Sequence, residues 1–125
     1  MDAQLKKVSL RAINYGLYVL AATDGDEYGA GGVNWLTQVS FEPPLVAAGV
    51  KADSGSAAII ERTGVFAVSV LADDQLDVGK VFFRSTVTGG DHTVYVAEVV
   101  NAGVRDGADD RTPLLLRSTG MNYGG

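Results

Sequence analysis

The sequence predicts a mainly β fold with short helices, a small antiparallel barrel of about six strands with the helices packed outside it. Three observations lead there. Glycine is abundant, at 16 residues against 3 prolines, a balance suited to tight turns that need positive φ. Short apolar runs that read as strands recur along the chain, and the helical patterns between them are brief. The length, 125 residues and 13.0 kDa, holds one domain with a single sizeable core and is too small for two. Residues 1–125 are therefore read as one domain, without repeat, linker or low-complexity stretch.

The elements follow in order. Residues 5–14 place Leu5, Val8 and Ala12 on one face and Lys6, Lys7 and Arg11 elsewhere, a short amphipathic helix. Residues 17–23 read as a strand, Asp24-Gly25 signals a hairpin, and residues 28–33 return as its partner. The chain is then irregular until Pro43-Pro44 opens a buried strand over residues 45–50. Asp53 or Ser54 caps a helix filled by Ala57, Ile59 and Ile60, and Arg62 and Gly64 suit its end. Residues 65–71 (VFAVSVL) give the clearest strand. Asp73 caps a further helix carrying Leu76, Val81, Phe82 and Phe83. Its charged stripe, Asp73, Asp77, Lys80 and Arg84, runs acid first and base last, as the helix dipole prefers. A long strand over residues 92–104 connects through a polar turn, residues 105–111, to a last short strand at 114–117.

Composition removes several function classes. Hydrophobic residues at 46% and charged residues at 20% belong to an ordered globular chain. No apolar run approaches the roughly 20 residues of a membrane helix. The opening MDAQLKKVSLRAIN lacks the apolar core and cleavage site of a signal peptide, so a cytoplasmic protein without membrane attachment is expected. With zero cysteines there is no disulfide, thiolate nucleophile or cysteine-ligated metal. A net charge of −5 argues against general nucleic-acid binding.

The least core-like stretch runs over residues 29–44 (GAGGVNWLTQVSFEPP). Its glycines allow a ligand or another backbone to come close. Asn34, Thr37, Gln38 and Ser40 then offer uncharged hydrogen-bonding groups around Trp35. That set fits a planar heteroaromatic ligand carrying carbonyls and ring nitrogens, or else a connection that bonds its own backbone. Lys51, Ser54 and Ser56 stand where a strand meets a helix start, a plausible phosphate site or a simple N-cap. Asp53 would oppose an anion if it pointed inward. His92, the single histidine, follows Gly89-Gly90-Asp91; one histidine without cysteines or a carboxylate cluster leaves a metal site unsupported.

The run from Asn34 to Val46, the Lys51–Ser56 turn, residues 61–71, Gly90-Asp91-His92 with the strand after it, and the closing Asn122-Tyr123-Gly124-Gly125 together resemble the flavin reductase-like family. The likeness covers nearly the whole chain, in order. It implies an FMN-binding split β-barrel of Greek-key type, usually a homodimer with flavin near the subunit interface, FAD being an alternative flavin. By that likeness Asn34, Trp35, Leu36, Thr37, Gln38 and Ser40 line the isoalloxazine and ribityl chain. Lys51, Ser54 and Ser56 sit near the phosphate, and His92 lies near flavin and nicotinamide. Where the family usually carries several tens of residues, including a core strand, only Thr86 to Gly90 stands between Ser85 and Asp91-His92. A barrel short of a strand leaves two unpaired edges.

The implied activity is NAD(P)H-dependent flavin reduction, with hydride passing from nicotinamide C4 to flavin N5. Backbone amides of Thr37 to Ser40, with His92, would stabilise the negative charge that results, and a monooxygenase is a possible recipient of the product. An FMN-holding electron carrier that does not use NAD(P)H, and a flavin-free barrel acting only in subunit association, are the competing readings.

Overall fold

The structure, a computed structural model, describes residues 1–82, 92–104 and 111–120. Helix α1 (Ala3–Arg11) leads into a hairpin, β1 (Tyr18–Asp24) and β2 (Glu27–Val33). Strands β3 (Leu36–Ser40) and β4 (Leu45–Lys51) follow, then α2 (Gly55–Thr63), β5 (Ala67–Val70), α3 (Leu76–Phe82) and β6 (His92–Glu98). A short 3₁₀ turn, Leu116–Ser118, comes last among the described residues. The strands pair antiparallel in two three-stranded sheets, ordered β2-β1-β5 and β3-β4-β6. Among the described residues no ladder joins one sheet to the other, so β2, β5, β3 and β6 each carry one paired edge.

The hairpin lies one residue later than its sequence signal suggests. Asp24 still belongs to the ladder, opposite Glu27, and the loop is Gly25-Asp26 with Gly25 at φ 60. Arg62 of α2 spans the hairpin ends, its Nε 3.1 Å from Asp24 Oδ2 and its Nη2 2.7 Å from Glu27 Oε2. Both carboxylates raise the exposed guanidinium further above its ordinary value, the hydrogen bond to Asp24 foremost. Helix α2 is terminated as its sequence reads. Of the two candidate caps it is Ser54 that acts, its Oγ accepting from the Ala57 N–H at 3.1 Å. Gly64 closes the helix at φ 68, its N–H donating to the Ile60 carbonyl.

One core cluster gathers Leu20 and Ala22 of β1, Val33 of β2, Ala48 and Val50 of β4, and Ala57, Ile59 and Ile60 of α2. It therefore stands where both sheets meet α2. Leu20 is 1% exposed, so Leu20→Ala is expected to cost about 2–5 kcal/mol, read as a lower urea midpoint with unchanged slope. A second cluster of Leu17, Leu71, Leu114 and Leu116 is built by the chain's final described segment.

Four expectations are corrected here. The first helix begins at Ala3 because Asp2 Oδ1 accepts from the Leu5 N–H at 2.8 Å, and it ends at Arg11 rather than Asn14; no residue of it is buried. Residues 36–40, read as irregular, form β3. A β-bulge at Val39, between the pairs Gln38↔Val46 and Ser40↔Leu45, breaks the alternation that would have marked a strand. Strand β6 stops at Glu98, opposite Leu45, because its partner runs out at Pro44; the Val99 N–H takes the Pro44 carbonyl as its last contact there. The final strand is absent from 114–117. Single bridges, Gly16↔Leu115 and Ala72↔Pro113, precede the 3₁₀ turn, since Pro113 has no N–H to extend a ladder. The segment instead wedges between two others, the Leu114 N–H donating to Leu71 O and its carbonyl accepting from the Leu17 N–H.

Helix α3 is not capped by Asp73: it starts only at Leu76, after a turn in which the Gln75 side chain accepts from the Ala72 N–H at 2.9 Å. Phe83, Arg84 and residues 105–110 lie outside the described residues.

Candidate functional site

The site begins with a missing side chain. At Gly29 a Cβ would lie 2.8 Å from the Ser56 backbone nitrogen and 3.0 Å from its Oγ. Glycine therefore lets β2 run against the first turn of α2. Beside this contact a cavity of about 590 Å³ opens, within the usual range for small-molecule sites. Its walls come from β2, the end of β4, the turn into α2, Phe82 and His92. Lys51, Ser54, Ser56, Asn34 and His92, up to 58 residues apart in sequence number, all line it, and Lys51 and His92 stand opposite one another in the β4–β6 ladder. Asp53 lines the same cavity, a carboxylate beside the cation.

A second cavity of about 490 Å³ is lined by Ile13, Tyr15, Trp35, Leu36, Thr37 and Val94 among others. Asn34 and Gly49 line both, so they form the shared wall. Gly49 is needed there because a Cβ would meet Trp35 at 3.0 Å. The Trp35 and His92 rings touch across this wall, centroids 4.3 Å apart and planes inclined by 48°.

The structure thus divides the sequence-predicted residues. Lys51, Ser54, Ser56 and His92 border the first cavity, Trp35, Leu36 and Thr37 the second, and Asn34 both. Gln38 and Ser40 line neither of these two. They flank the bulge, where the Gln38 side-chain amide donates to the Ser40 carbonyl at 3.2 Å. Gly49 was missed by sequence reasoning, although a glycine inside an apolar strand is itself a signal of close approach.

Two features suit this cavity to a phosphate-bearing ligand with a polar ring system. The first amides of α2 have no intrahelical carbonyl to meet, and the helix places partial positive charge there beside Lys51. Independently, Asn34 is 4% exposed, and among the described residues its Nδ2 has no hydrogen-bond partner. A buried amide left so costs about 1–3 kcal/mol, and a ligand carbonyl would recover it.

Strand β6 is tied to α2 by Tyr95, whose hydroxyl donates to Glu61 Oε1 at 2.7 Å. Burial, then the bond to the Glu61 carboxylate and its charge, raise the phenol above its ordinary value. A raised value in the fold means that Tyr95's contribution is whole below about pH 10 and is lost as pH climbs through the folded value. Tyr95→Phe is expected to cost about 1 kcal/mol at neutral pH, and the gap from wild type in urea melts should close above pH 10.

Comparison with known proteins follows the same lines. A family model described as flavin reductase like domain matches residues 10–86. Over 83 residues the chain is 40% identical to a flavin reductase of Pseudomonas putida, a stretch of 66% of this chain. The chain spans about half the length of that relative, 49%. Among solved structures, the styrene monooxygenase flavin reductase of Pseudomonas putida S12 superposes with a TM-score of 0.75 at 21% identity, covering 90% of this chain and 92% of that one. The NADH:FAD oxidoreductase SgcE6 of Streptomyces globisporus C-1027 gives 0.74 at 23%, covering 90% and 86%. These likenesses share the fold described above.

Proposed function

The chain belongs to the flavin reductase-like domain family, and from that membership we propose that it binds a flavin by its FMN moiety and reduces it with NAD(P)H. The observation that carries this reading is buried Asn34, whose Nδ2 has no partner among the described residues, in the wall of a cavity that also holds the start of α2. When bound, the flavin supplies the hydride-accepting ring chemistry. The chain's own residues bind and orient. The first amides of α2, with the Ser54 and Ser56 hydroxyls and Lys51, hold the phosphate; Asn34 Nδ2 donates to a ring carbonyl; His92 borders the place where the two rings meet. FMN follows the sequence likeness, and FAD carries the same moiety.

Two association partners belong to this reading. One is a second copy of the chain. Val94 and Val96 of β6 are 67% and 61% exposed on the face of the sheet that carries Ala47 and Gly49, an apolar surface suited to a homodimer. The other is an oxygenase that takes up the reduced flavin, a relationship the styrene monooxygenase flavin reductase carries in its name. A cytoplasmic place is proposed with it; no described helix is long and apolar enough to cross a membrane.

The test is spectroscopic. Purified protein titrated with FMN or FAD should develop the perturbed yellow spectrum of bound flavin, and NADH or NADPH should bleach it anaerobically. Binding without bleaching would favour the electron carrier, and no binding would leave only subunit association. Sedimentation should report about twice the 13.0 kDa chain mass; monomer alone at micromolar concentration would remove the dimer.

A further inference from the structure

We propose that Trp35 is the positioning residue of His92, holding the imidazole in the wall of the first cavity while itself standing in the second. The sequence likeness places Trp35 among the flavin contacts; in the structure it lines the second cavity. Three observations fix it against His92 instead. The rings lie 4.3 Å apart at 48°, a tilted aromatic contact. The indole rests on bare backbone, since a Cβ at Gly49 would sit 3.0 Å from Trp35 Cε3 and 3.1 Å from its Cβ. The Trp35 carbonyl accepts from the Gly49 N–H at 2.8 Å, so its backbone is fastened to the strand that pairs with β6.

His92 is the first residue of β6, and the torsion that turns an imidazole about its stem is broad rather than three-welled. A flat indole against the ring narrows that torsion. A misplacement of about 1 Å can cost on the order of 100-fold in a reaction governed by ring alignment, so the orientation of this side chain carries kinetic weight. The catalytic part of the inference rests on the flavin-reductase reading; the positional part does not.

The single histidine and single tryptophan make the test direct, because each gives one set of ring signals. In the full chain, W35L should move the imidazole C–H resonances of His92 by removing the indole ring current, and W35F should keep part of that shift. With flavin bound, W35L should leave flavin affinity within about twofold of wild type and slow anaerobic reduction about tenfold, with W35F recovering most of the rate. Adding His92→Leu to W35L should cause little further loss, since one residue acts through the other. Trp35→Met serves in place of W35L if that variant does not fold. Unmoved imidazole signals would overturn the proposal. Weakened flavin binding with an unchanged rate per bound flavin would overturn it too, making Trp35 a cofactor contact. A wild-type chain that binds no flavin removes the functional reading, while the resonance shifts still decide the positioning.

Discussion

Gly29→Ala is expected to damage both the fold and the ligand site. The added Cβ would lie 2.8 Å from the Ser56 nitrogen and 3.1 Å from the Gly55 carbonyl carbon, both backbone atoms. Neither side yields easily. Strand β2 is held in register by β1, where Gly29 faces Ala22, and α2 is anchored through buried Ala57, Ile59 and Ile60. Overpacking of this kind costs about 1–3 kcal/mol, and valine at the same place should cost more. Pushing the first turn of α2 away also displaces the amides that would meet a phosphate, so FMN affinity should fall tenfold or more. Gly31→Ala is the contrast. Its Cβ would meet nothing within 4 Å although the residue lines the same cavity. Its thermal midpoint should stay near wild type, and only ligand affinity should change. Melting curves and flavin titrations of both variants check the pair; a Gly29→Ala protein with wild-type melting would mean that β2 and α2 are not held as described.

The second large effect is expected from replacing Ser54 and Ser56 together by alanine. Ser54 Oγ accepts from the Ala57 N–H and keeps its own proton for an anion, and Ser56 is 6% exposed in the wall of the cavity. A hydrogen bond to a charged group is worth roughly 1.5–3 kcal/mol, so losing both should weaken FMN at least tenfold and leave riboflavin, which lacks the phosphate, nearly unaffected. Loss of the cap costs stability of about 1 kcal/mol besides, which a melting curve reports separately. Equal losses for FMN and riboflavin would place the phosphate elsewhere.

What could be read from the sequence was local. Ser54 and Gly64 bracket α2 with the chemistry that helix ends require, and Asp24-Gly25 marks a turn within one residue of its place. Lys51, Ser54 and Ser56 are near neighbours along the chain, so their convergence needed only a strand end followed by a helix start. The remainder depends on partners far away in sequence. Strand β3 escaped notice because the bulge at Val39 removes the two-residue period, and that bulge is answered by Leu45 and Val46 of another strand. The length of β6 is set by Pro44, and the final segment is shaped by Leu17 and Leu71 rather than by its own β-propensity. Asn34 was legible as a polar residue but not as a buried one, and the side of the wall on which Trp35 stands follows from Gly49.

The cavity beside α2 takes its walls from β2 in one sheet and from β4 and β6 in the other, and no ladder links those sheets among the described residues. An occupant of that space therefore touches both halves, adding to the shared core of Leu20, Ala48 and Val50 that already packs one against the other. At a concentration about 100 times its Kd such a ligand adds about 2.7 kcal/mol to the folded state as a whole. Because it touches both halves, neither can melt without releasing it. Ligand supply thereby sets not only how stable the molecule is but how far its two sheets unfold as one cooperative unit.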